Sequence, residues 1–514
     1  MTDAPASDHP GHQHYESHVE DKGLSKGSLG LLGSVVLGVS TIAPAYALTA
    51  SLGPTVAEVG EQLPAIFIVG FIPMLLVAFG YRELNTAEPD SGTSFTWASK
   101  AFGPYVGWMG GWGLIASTII VLSNLAGVAV EFFYLFLGQV FSNDSLAELA
   151  DNKPVNILTC LVFMALACWL TYRGMQETKR VQYTMLAFQL VILLWYSIEA
   201  FVKVGAGDGD PNISFSLDWF NPFSIETFSA FTAGLSLSIF MYWGWDVCLT
   251  VNEETSGSEK TPGRAAMLTC FIIIALYLVV AVATLLFAGI GDTGNGLQNP
   301  DTQDNVFAAL ASPVLGPFAI LLSLAVLSSS ASSLQATFIS PARTLLAMGH
   351  YKAMPSRFAS ITPRFSTPGF ATVVSAVASA GFYALMRVIS DNVLTDTIAA
   401  LGLMICFYYG ITAFACVWYF RREWFSTARN FFFKLFFPLL GGLGMLVVFI
   451  QTAYDSLDPD FGSGSSLFGI GMVFLIGIGI IVLGAVIMLV IAARAPDFFK
   501  GRILTRDTPT LLDD

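Results

Sequence analysis

The stretch Ser34-Val-Val-Leu-Gly-Val-Ser-Thr-Ile-Ala-Pro-Ala-Tyr-Ala-Leu48 lies inside an apolar run from about residue 29 to residue 52. Such a run is long enough to cross a bilayer, which takes about 20 residues. Its middle does not suit an unbroken helix, because Pro44 lacks an N–H group and its ring clashes with the carbonyl of Ser40. Lipid cannot bond to the backbone groups that a break frees, so they need partners within the protein. The stretch therefore predicts either a helix broken beside a cavity at mid-membrane, or a proline kink with no ligand.

The composition is that of a polytopic membrane protein rather than a soluble domain. The 514 residues are 54% hydrophobic and 12% charged, and the mean hydropathy is +0.66. A net charge of −13 argues neither for a basic partner nor for nucleic acid binding. The six cysteines all fall in apolar segments, which indicates packing residues rather than disulfides or a metal site. No catalytic motif stands in a suitable context, so we expect neither an enzyme nor a cofactor.

The first 28 residues form a polar tail that contains four histidines. Its composition favours a solvated segment over a metal-binding one, and it is too polar and acidic for a signal peptide. We therefore expect the first apolar segment to act as an uncleaved insertion signal. The four histidines are His9, His12, His14 and His18.

Twelve apolar segments follow the tail, and basic residues predict their orientation. With the N-terminus inside, all but Lys153, Lys203 and Arg387 of the 24 Lys and Arg residues lie on the cytoplasmic side. We therefore predict a multi-pass plasma-membrane protein with both termini in the cytoplasm. The twelve segments are roughly residues 29–52, 64–81, 105–138, 154–172, 181–202, 226–250, 265–288, 316–342, 369–388, 394–420, 432–452 and 467–493.

A coarse symmetry divides these segments into two halves of five. The sixth segment has its own awkward middle at residues 240–246, at the position that matches the broken first segment. Interrupted segments at matching positions of two inverted halves point to a binding site at their interface. The predicted units are a cytoplasmic tail (1–28), a first half (29–204), a second half (225–422), two further helices (423–493) and a cytoplasmic tail (494–514).

The loop after the second segment carries a long and specific motif, from Tyr81-Arg-Glu-Leu to Phe102-Gly-Pro104. With Pro89, Gly92, Phe95 and Trp97 between these ends, it resembles the amino acid–polyamine–organocation (APC) superfamily of permeases. We interpret the loop as an inner gate and scaffold rather than a ligand site. Three further matches extend the resemblance over most of the chain: Tyr172–Gln182, Asn252–Arg264 and Ser340–Met348.

The resemblance implies an all-α fold of twelve transmembrane helices, with a 5+5 inverted repeat, broken helices 1 and 6, and two C-terminal helices. It also implies that amides at the first break bind the substrate carboxylate, that carbonyls at the second break take its ammonium, and that an aromatic lid closes over it. Ser40 departs from the family pattern, which has a third glycine there. The residues so placed are Gly38, Val39, Ser40, Thr41, Asn124, Phe240 (the lid), Tyr242, Trp243 and Gly244.

Several of these residues also have simpler interpretations. Phe240 alone reads as a core or lipid-facing aromatic, and Asn124 as an interhelical hydrogen bond of about 0.6–2 kcal/mol. Asp246 is a mid-membrane acid, which costs about 2.5–3.5 kcal/mol and so needs a partner or a task. A role in pH sensing, proton transfer or substrate contact and a structural hydrogen bond both remain open for Asp246. Glu131 reads as an interface residue or as a cation attractor in an outer vestibule.

The coupling ion is open as well. Some proton-coupled members of the superfamily carry a lysine in helix 5, and the matching position here is Gln189, whose amide cannot take up a proton. A serine-rich turn in the eighth segment offers hydroxyls that could hold sodium together with carbonyls of the first break. Small residues that allow close helix packing are the alternative. The candidate serines are Ser329, Ser332 and Ser333.

The sequence thus predicts a secondary transporter that moves amino acids by alternating access, either coupled to protons or sodium or working by exchange. The alternatives are a polyamine or organocation carrier, and a non-transporting amino-acid sensor on the same fold. Its expected partners are a small-molecule substrate and membrane lipid.

Overall fold

The computed structural model describes residues 22–303, 305–389 and 393–509. The four histidines of the N-terminal tail lie outside the described residues. Short 3₁₀ helices occupy Gly60–Gln62, Glu148–Ala150, Leu217–Phe220, Pro222–Ser224, Asn252–Glu254, Gly316–Phe318 and Ser356–Ala359, and a π-helix occupies Phe431–Phe436. The α-helices are α1 Leu31–Ile42, α2 Pro44–Val59, α3 Leu63–Ala87, α4 Ser94–Phe102, α5 Pro104–Phe141, α6 Asp144–Ala147, α7 Lys153–Tyr172, α8 Met175–Ala206, α9 Phe228–Met241, α10 Val247–Thr250, α11 Thr261–Ala288, α12 Pro300–Gln303, α13 Val306–Leu315, α14 Ala319–Thr337, α15 Ile339–His350, α16 Gly369–Ile389, α17 Val393–Tyr419, α18 Ala428–Asn430, α19 Phe437–Asp455, α20 Met472–Arg494 and α21 Pro496–Phe499. Strands β1 Ser466–Leu467 and β2 Ile470–Gly471 form an antiparallel hairpin.

Apolar helices dominate this architecture. The described part of the chain holds ten helical stretches that are long and apolar enough to cross a membrane. The first stretch, Leu31–Ala87, contains two of the predicted segments, and α9 is a shorter apolar helix outside the ten. A mostly helical, multi-pass membrane protein is therefore confirmed, and the count of twelve crossings stays a prediction.

The first predicted segment is broken, but one turn later than predicted. Helix α1 runs through Gly38–Thr41 without interruption, so the expected break at Gly38-Val39-Ser40 is wrong in position. The chain turns at Ala43, which adopts the left-handed conformation (φ 55°, ψ 67°), at a cost on the order of 1–3 kcal/mol for a non-glycine residue. The cause is Pro44, which needs no N–H acceptor and becomes the first residue of α2.

The sixth predicted segment is also interrupted, at the predicted place. Helix α9 ends at Met241, and α10 begins at Val247. Gly244 has φ 118°, a conformation that other residues rarely adopt. A side chain there would also lie 3.1 Å from the amide nitrogen of Ile42. The two breaks therefore touch, because glycine lets one backbone approach the other.

Both described ends of the chain lie at one face of the helical bundle. Lys22 contacts Asp90, in the turn before α4, and Lys100 of α4 contacts the carbonyl of Thr508. We call this side the terminal face and the other side the opposite face. Helix α5 runs between the two, from Tyr105 beside Phe499 at the terminal face to Phe141.

Close helix packing explains the glycine at position 38 better than the binding of a carboxylate by its amide does. A methyl group at Gly38 would lie 2.6 Å from Oγ1 of Thr269 and 2.7 Å from Sγ of Cys248. Gly38 is therefore the point where α1 lies closest to α10 and α11. Its amide lies within a continuous helix, so it is not among the groups that the break frees.

We predict that Gly38→Ala lowers stability although alanine is the better helix former. Overpacking against Thr269 and Cys248 should cost about 1–3 kcal/mol. The matched control is Gly381→Ala in α16, where nothing lies within 4 Å of the added methyl group. Thermal unfolding in detergent measures both variants. A Gly38→Ala protein as stable as the Gly381→Ala protein would contradict the close contact.

Candidate functional site

The site is built where the two breaks meet. Helix α1 ends with carbonyl groups that its own turns do not use, and α2 begins with amides that have no intrahelical acceptor. Ala47 is the first residue of α2 whose amide bonds back, to the carbonyl of Ala43 at 2.8 Å. The amides of Ala45 and Tyr46 therefore form the positive end of α2, where an anion is favoured.

The sequence analysis missed these two amides because it placed the break at Gly38–Thr41. The signal was present in Pro44, since proline is common at the first position of a helix. Of the predicted residues, Thr41 still lies at the junction, with a methyl group near Gly244. The hydroxyl of Ser40 is buried and has no hydrogen-bond partner among the described residues.

Helix α14 contacts both sides of the first break through its serine face. Oγ of Ser333 donates to the carbonyl of Thr41 at 2.6 Å, and Oγ of Ser329 accepts from the amide of Tyr46 at 3.3 Å. Oγ of Ser332 receives a long contact of 3.5 Å from the side-chain amide of Gln189 in α8. The structure therefore brings all four predicted residues to one polar region, where the carbonyl oxygen of Gln189 has no partner among the described residues.

The second break holds a buried acid in an aromatic setting. Tyr408 of α17 donates its hydroxyl proton to Oδ2 of Asp246 at 3.0 Å and accepts from the indole of Trp243 at 2.6 Å. Tyr242 donates to the carbonyl of Phe67 at 3.0 Å, so its side chain anchors α9 to α3. No ion pair to Asp246 is found among the described residues. Tyr408 is a site residue that the sequence analysis did not find.

Phe240 and Asn124 face the region between the breaks. The ring of Phe240 meets that of Tyr46 edge-on, with centroids 6.2 Å apart. Oδ1 of Asn124 accepts from Thr397 at 2.6 Å, whereas its amide nitrogen is buried without a partner in the described part of the chain. The second half of the first segment, α2, is thus in direct contact with Phe240, the predicted lid residue.

A cavity of about 330 Å³ opens toward the opposite face. It lies between α2, α5, α9 and α17, and its wall includes Glu58 and Glu131. The lining residues contain no Lys, Arg or His: they are Thr49, Ala50, Pro54, Ala57, Glu58, Val128, Glu131, Ala233, Ser236, Leu237, Pro300, Gln303, Asn305, Thr395, Ile398, Ala399, Thr452, Phe461, Gly462 and Ser463. The predicted position of Glu131 in a vestibule is consistent with this wall.

The terminal face is closed by a buried ionic cluster, which we call the clasp: Lys22, Asp90, Glu253 and Tyr351. Nζ of Lys22 lies 2.6 Å from carboxylate oxygens of both Asp90 and Glu253, and Tyr351 donates to Asp90 at 2.7 Å. Burial alone would lower the pKa of Lys22, but the two carboxylates raise it above its ordinary value. Burial would raise the pKa of Asp90, but the Lys22 charge and hydrogen bonds lower it to about 2.

A second buried pair lies beside the clasp. Arg343 of α15 binds Glu254 through two contacts, at 3.0 and 3.2 Å. The carbonyl of the same Glu254 accepts from the amide of Leu29 at 3.1 Å. The segment that leads into α1 is thereby tied to the end of α10.

We predict that Lys22→Met loosens the terminal face. It leaves Asp90 and Glu253 without a counter-charge, and losing one partner of a buried pair costs about 3–5 kcal/mol. The native thiol of Cys248 reports the change, because its Sγ lies buried against the carbonyl of Ser34 in α1. Its alkylation by a polar maleimide should accelerate in a chain that keeps only this cysteine.

The control is Lys260→Met, an exposed lysine after the same α10. Equal labelling rates in the Lys22→Met and Lys260→Met proteins would show that the clasp does not close this face.

Comparisons with known proteins found a matching family model and similar proteins that are named as transporters. A family model described as "Amino acid permease" matches residues 29–475. The low-affinity putrescine importer PlaP of Escherichia coli K12 is 23% identical, with 84% of this chain and 89% of that protein covered. The cationic amino acid transporter 2, vacuolar, of Arabidopsis thaliana is 25% identical over 62% of this chain. The match spans about half, 49%, of the Arabidopsis protein's length.

The fold has a solved counterpart. The crystal structure of MhsT in complex with L-phenylalanine has a TM-score of 0.60 at 15% identity, and the match covers 83% of this chain and 99% of that one. At this identity the likeness concerns the fold alone. The helical architecture is therefore shared with a protein of known structure.

Proposed function

Because this chain belongs to the amino acid permease family, we propose that it is a secondary transporter that carries amino acids across the plasma membrane by alternating access. The observation that carries the proposal is the contact of two interrupted helices between a cavity on one face and a buried clasp on the other. In this arrangement a ligand reaches the breaks from the opposite face. Transport then requires the clasp to open.

The proposed topology has twelve crossings in two inverted halves of five, with two further helices. The terminal face is then cytoplasmic, as the distribution of Lys and Arg predicts. The cavity accordingly faces the outside of the cell. The described form corresponds to one that is open outward and closed inward.

The ligand is placed by the helix ends. The amides of Ala45 and Tyr46, at the positive end of α2, bind the carboxylate. The carbonyls of Tyr242 and Trp243, at the negative end of α9, accept from the ammonium group. Phe240 closes over the ligand against Tyr46, and the unpartnered amide nitrogen of Asn124 supplies a donor from α5.

Asp246 is the proposed coupling residue. It is a buried carboxylate on the second break, with a tyrosine hydroxyl as partner and no ion pair in the described part of the chain. A charge held in this way is costly, so uptake of a proton there favours a different packing of the break. Sodium bound by Ser333 and the carbonyl of Thr41 is the alternative, in which the ion replaces the hydrogen bond that joins these two groups at 2.6 Å.

A polyamine or organocation carrier is the second candidate. Two carboxylates and no basic side chain line the cavity, which favours positively charged solutes. The similarity to a protein named as a putrescine importer points the same way. Such a carrier would use Glu131 and Asp246 as counter-charges.

Flux into proteoliposomes separates these proposals. We expect saturable uptake of at least one amino acid from a panel that also contains putrescine, with proton and sodium gradients imposed separately. Uptake of putrescine alone would support the second candidate. Ligand binding without counterflow would contradict transport and indicate a sensor.

We predict that Asp246→Asn removes the response of flux to the proton gradient while counterflow persists. The amide keeps the shape of the carboxylate and can still accept from Tyr408, but it cannot take up a proton. The control is Asp208→Asn, an exposed carboxylate beyond the end of α8. An unchanged proton dependence in Asp246→Asn would exclude this residue from coupling and leave the serine region of α14 as the alternative.

A further inference from the structure

The C-terminal segment beyond the last apolar helix folds back onto the terminal face. After α20 ends at Arg494, the short helix α21 and the following residues reach Thr508. Phe498 is fully buried, and Phe499 and Leu504 are 6% and 4% exposed. A segment without contacts to the helical bundle would leave these three large apolar side chains exposed to water. Their burial therefore shows that the segment packs against other elements of the protein.

This segment, residues 496–508, contacts α4, α5 and α15 through apolar side chains and α17 through a hydrogen bond. Phe498 stacks on Phe95 of α4, with centroids 5.5 Å apart, and Phe499 packs on Tyr105 at the start of α5, at 5.1 Å. The same apolar cluster includes Leu345 of α15. The segment thus lies across α4, α5 and α15 through its apolar side chains.

Polar contacts fix the rest of the segment. Lys100 of α4 binds the carbonyl of Thr508 at 2.5 Å and the carboxylate of Glu88 at 2.7 Å. Tyr419, at the end of α17, donates to Glu88 at 2.6 Å and accepts from Arg506 through its carbonyl at 2.8 Å. Residues 496–508 therefore link α4 to α17, because Thr508 accepts from Lys100 and Arg506 donates to the carbonyl of Tyr419.

A short chain of contacts leads from the tail to the clasp. Phe95, which stacks on Phe498, also lies 6.3 Å from the ring of Tyr351. Tyr351 donates to Asp90, and Asp90 pairs with Lys22. Residues 496–508 thus contact Phe95, and Phe95 packs against Tyr351. Tyr351 in turn donates its hydroxyl proton to the Asp90 carboxylate of the clasp.

On its other side, α4 reaches the second break. Ser94 is 2.9 Å from the hydroxyl of Tyr81, whose ring meets that of Trp245 at 5.0 Å. A displacement of α4 would therefore change contacts at both the clasp and the second break. A segment that holds α4 in place acts on both.

We infer that residues 496–508 are a regulatory brace, which holds the terminal face closed while docked and allows it to open when released. The brace is suited to release because it lies outside the apolar helices and its longest helix has four residues, so it can undock without unfolding a membrane span. Its removal shifts the population toward the form in which α1 has moved away from α10. This inference rests on the proposed alternation between two forms, but its readout does not require flux.

The test uses full-length protein in lipid nanodiscs, with Cys248 as the single remaining thiol. Two variants release the brace: truncation after Ala495, and Phe498→Ala in the intact chain. A third variant, Arg506→Ala, removes only the tether to Tyr419 and spares the apolar core. Alkylation of Cys248 by a polar maleimide should become roughly tenfold faster in the first two, as expected when a minor form of 0.1–10% gains population, and should change less in the third.

A second single-thiol chain distinguishes release from general loosening. Cys406 lies buried in α17, away from the clasp, so its alkylation should stay constant in every variant. Lys22→Met and the truncation should also be non-additive at Cys248, because both open the same closure. Unchanged labelling of Cys248, or equal acceleration at Cys248 and Cys406, would overturn the brace.

Flux measured on the same proteins keeps the two proposals apart. Absence of flux in the native chain, with selective labelling of Cys248 after truncation, would refute transport and leave the brace standing. Flux in the native chain with no effect of truncation on Cys248 would refute the brace and leave transport standing.

Discussion

The close contact between Gly244 and the turn at Ile42 is the constraint on which the rest of the structure depends. A bilayer offers no partners for peptide groups, so a helix can be interrupted at this depth only against another part of the protein. Two interrupted helices placed together meet this condition for each other, provided that the backbones come so close that a Cβ atom at Gly244 would lie only 3.1 Å from the amide nitrogen of Ile42. Only a residue without a side chain allows that approach in a left-handed conformation. The serine face of α14 completes the arrangement by bonding to both sides of the first break.

The two faces of this junction differ in how they exclude solvent. On the opposite face, carboxylates line an open cavity, and water can solvate them. On the terminal face, Lys22 and Asp90 form one buried ion pair, and Arg343 and Glu254 form another. Each of these charges therefore depends on its partner. Because the pKa of Asp90 is lowered to about 2 and that of Lys22 is raised, the Lys22–Asp90 pair of the clasp remains charged throughout the neutral range. It loses its contribution only as the pH falls through about 2 or rises through the raised pKa of Lys22. The proposed response to a proton gradient is therefore assigned to a group outside the clasp, the Asp246 carboxylate, whose partner is the hydroxyl of Tyr408.

Sequence reasoning reached the helical membrane fold, the family and both interrupted segments, because apolar length, proline and the motif from Tyr81 to Pro104 are local signals. It misplaced the first break by one turn, since the break was placed at Gly38–Ser40 by resemblance to the family, whereas the missing N–H of Pro44 decides where the second helix starts. It did not find Tyr408 or Lys22. Each of these acts through partners far away in the chain, and nothing near Lys22 in the sequence distinguishes it from a solvated lysine in a polar tail.

The terminal segments look unremarkable in sequence and important in the structure because they too act through partners far away in the chain. A transporter that alternates between two forms needs a closure whose stability is close to that of the open form, since a closure that is too stable cannot be opened by a ligand. Charged pairs buried at the ends of helices meet this need, because their net stabilisation is small although the loss of one partner is costly. An apolar segment docked on the same elements adds a contribution that can be removed as a unit. In the proposed cycle the clasp closes the terminal face, and the inferred role of residues 496–508 is to adjust how firmly that face is closed.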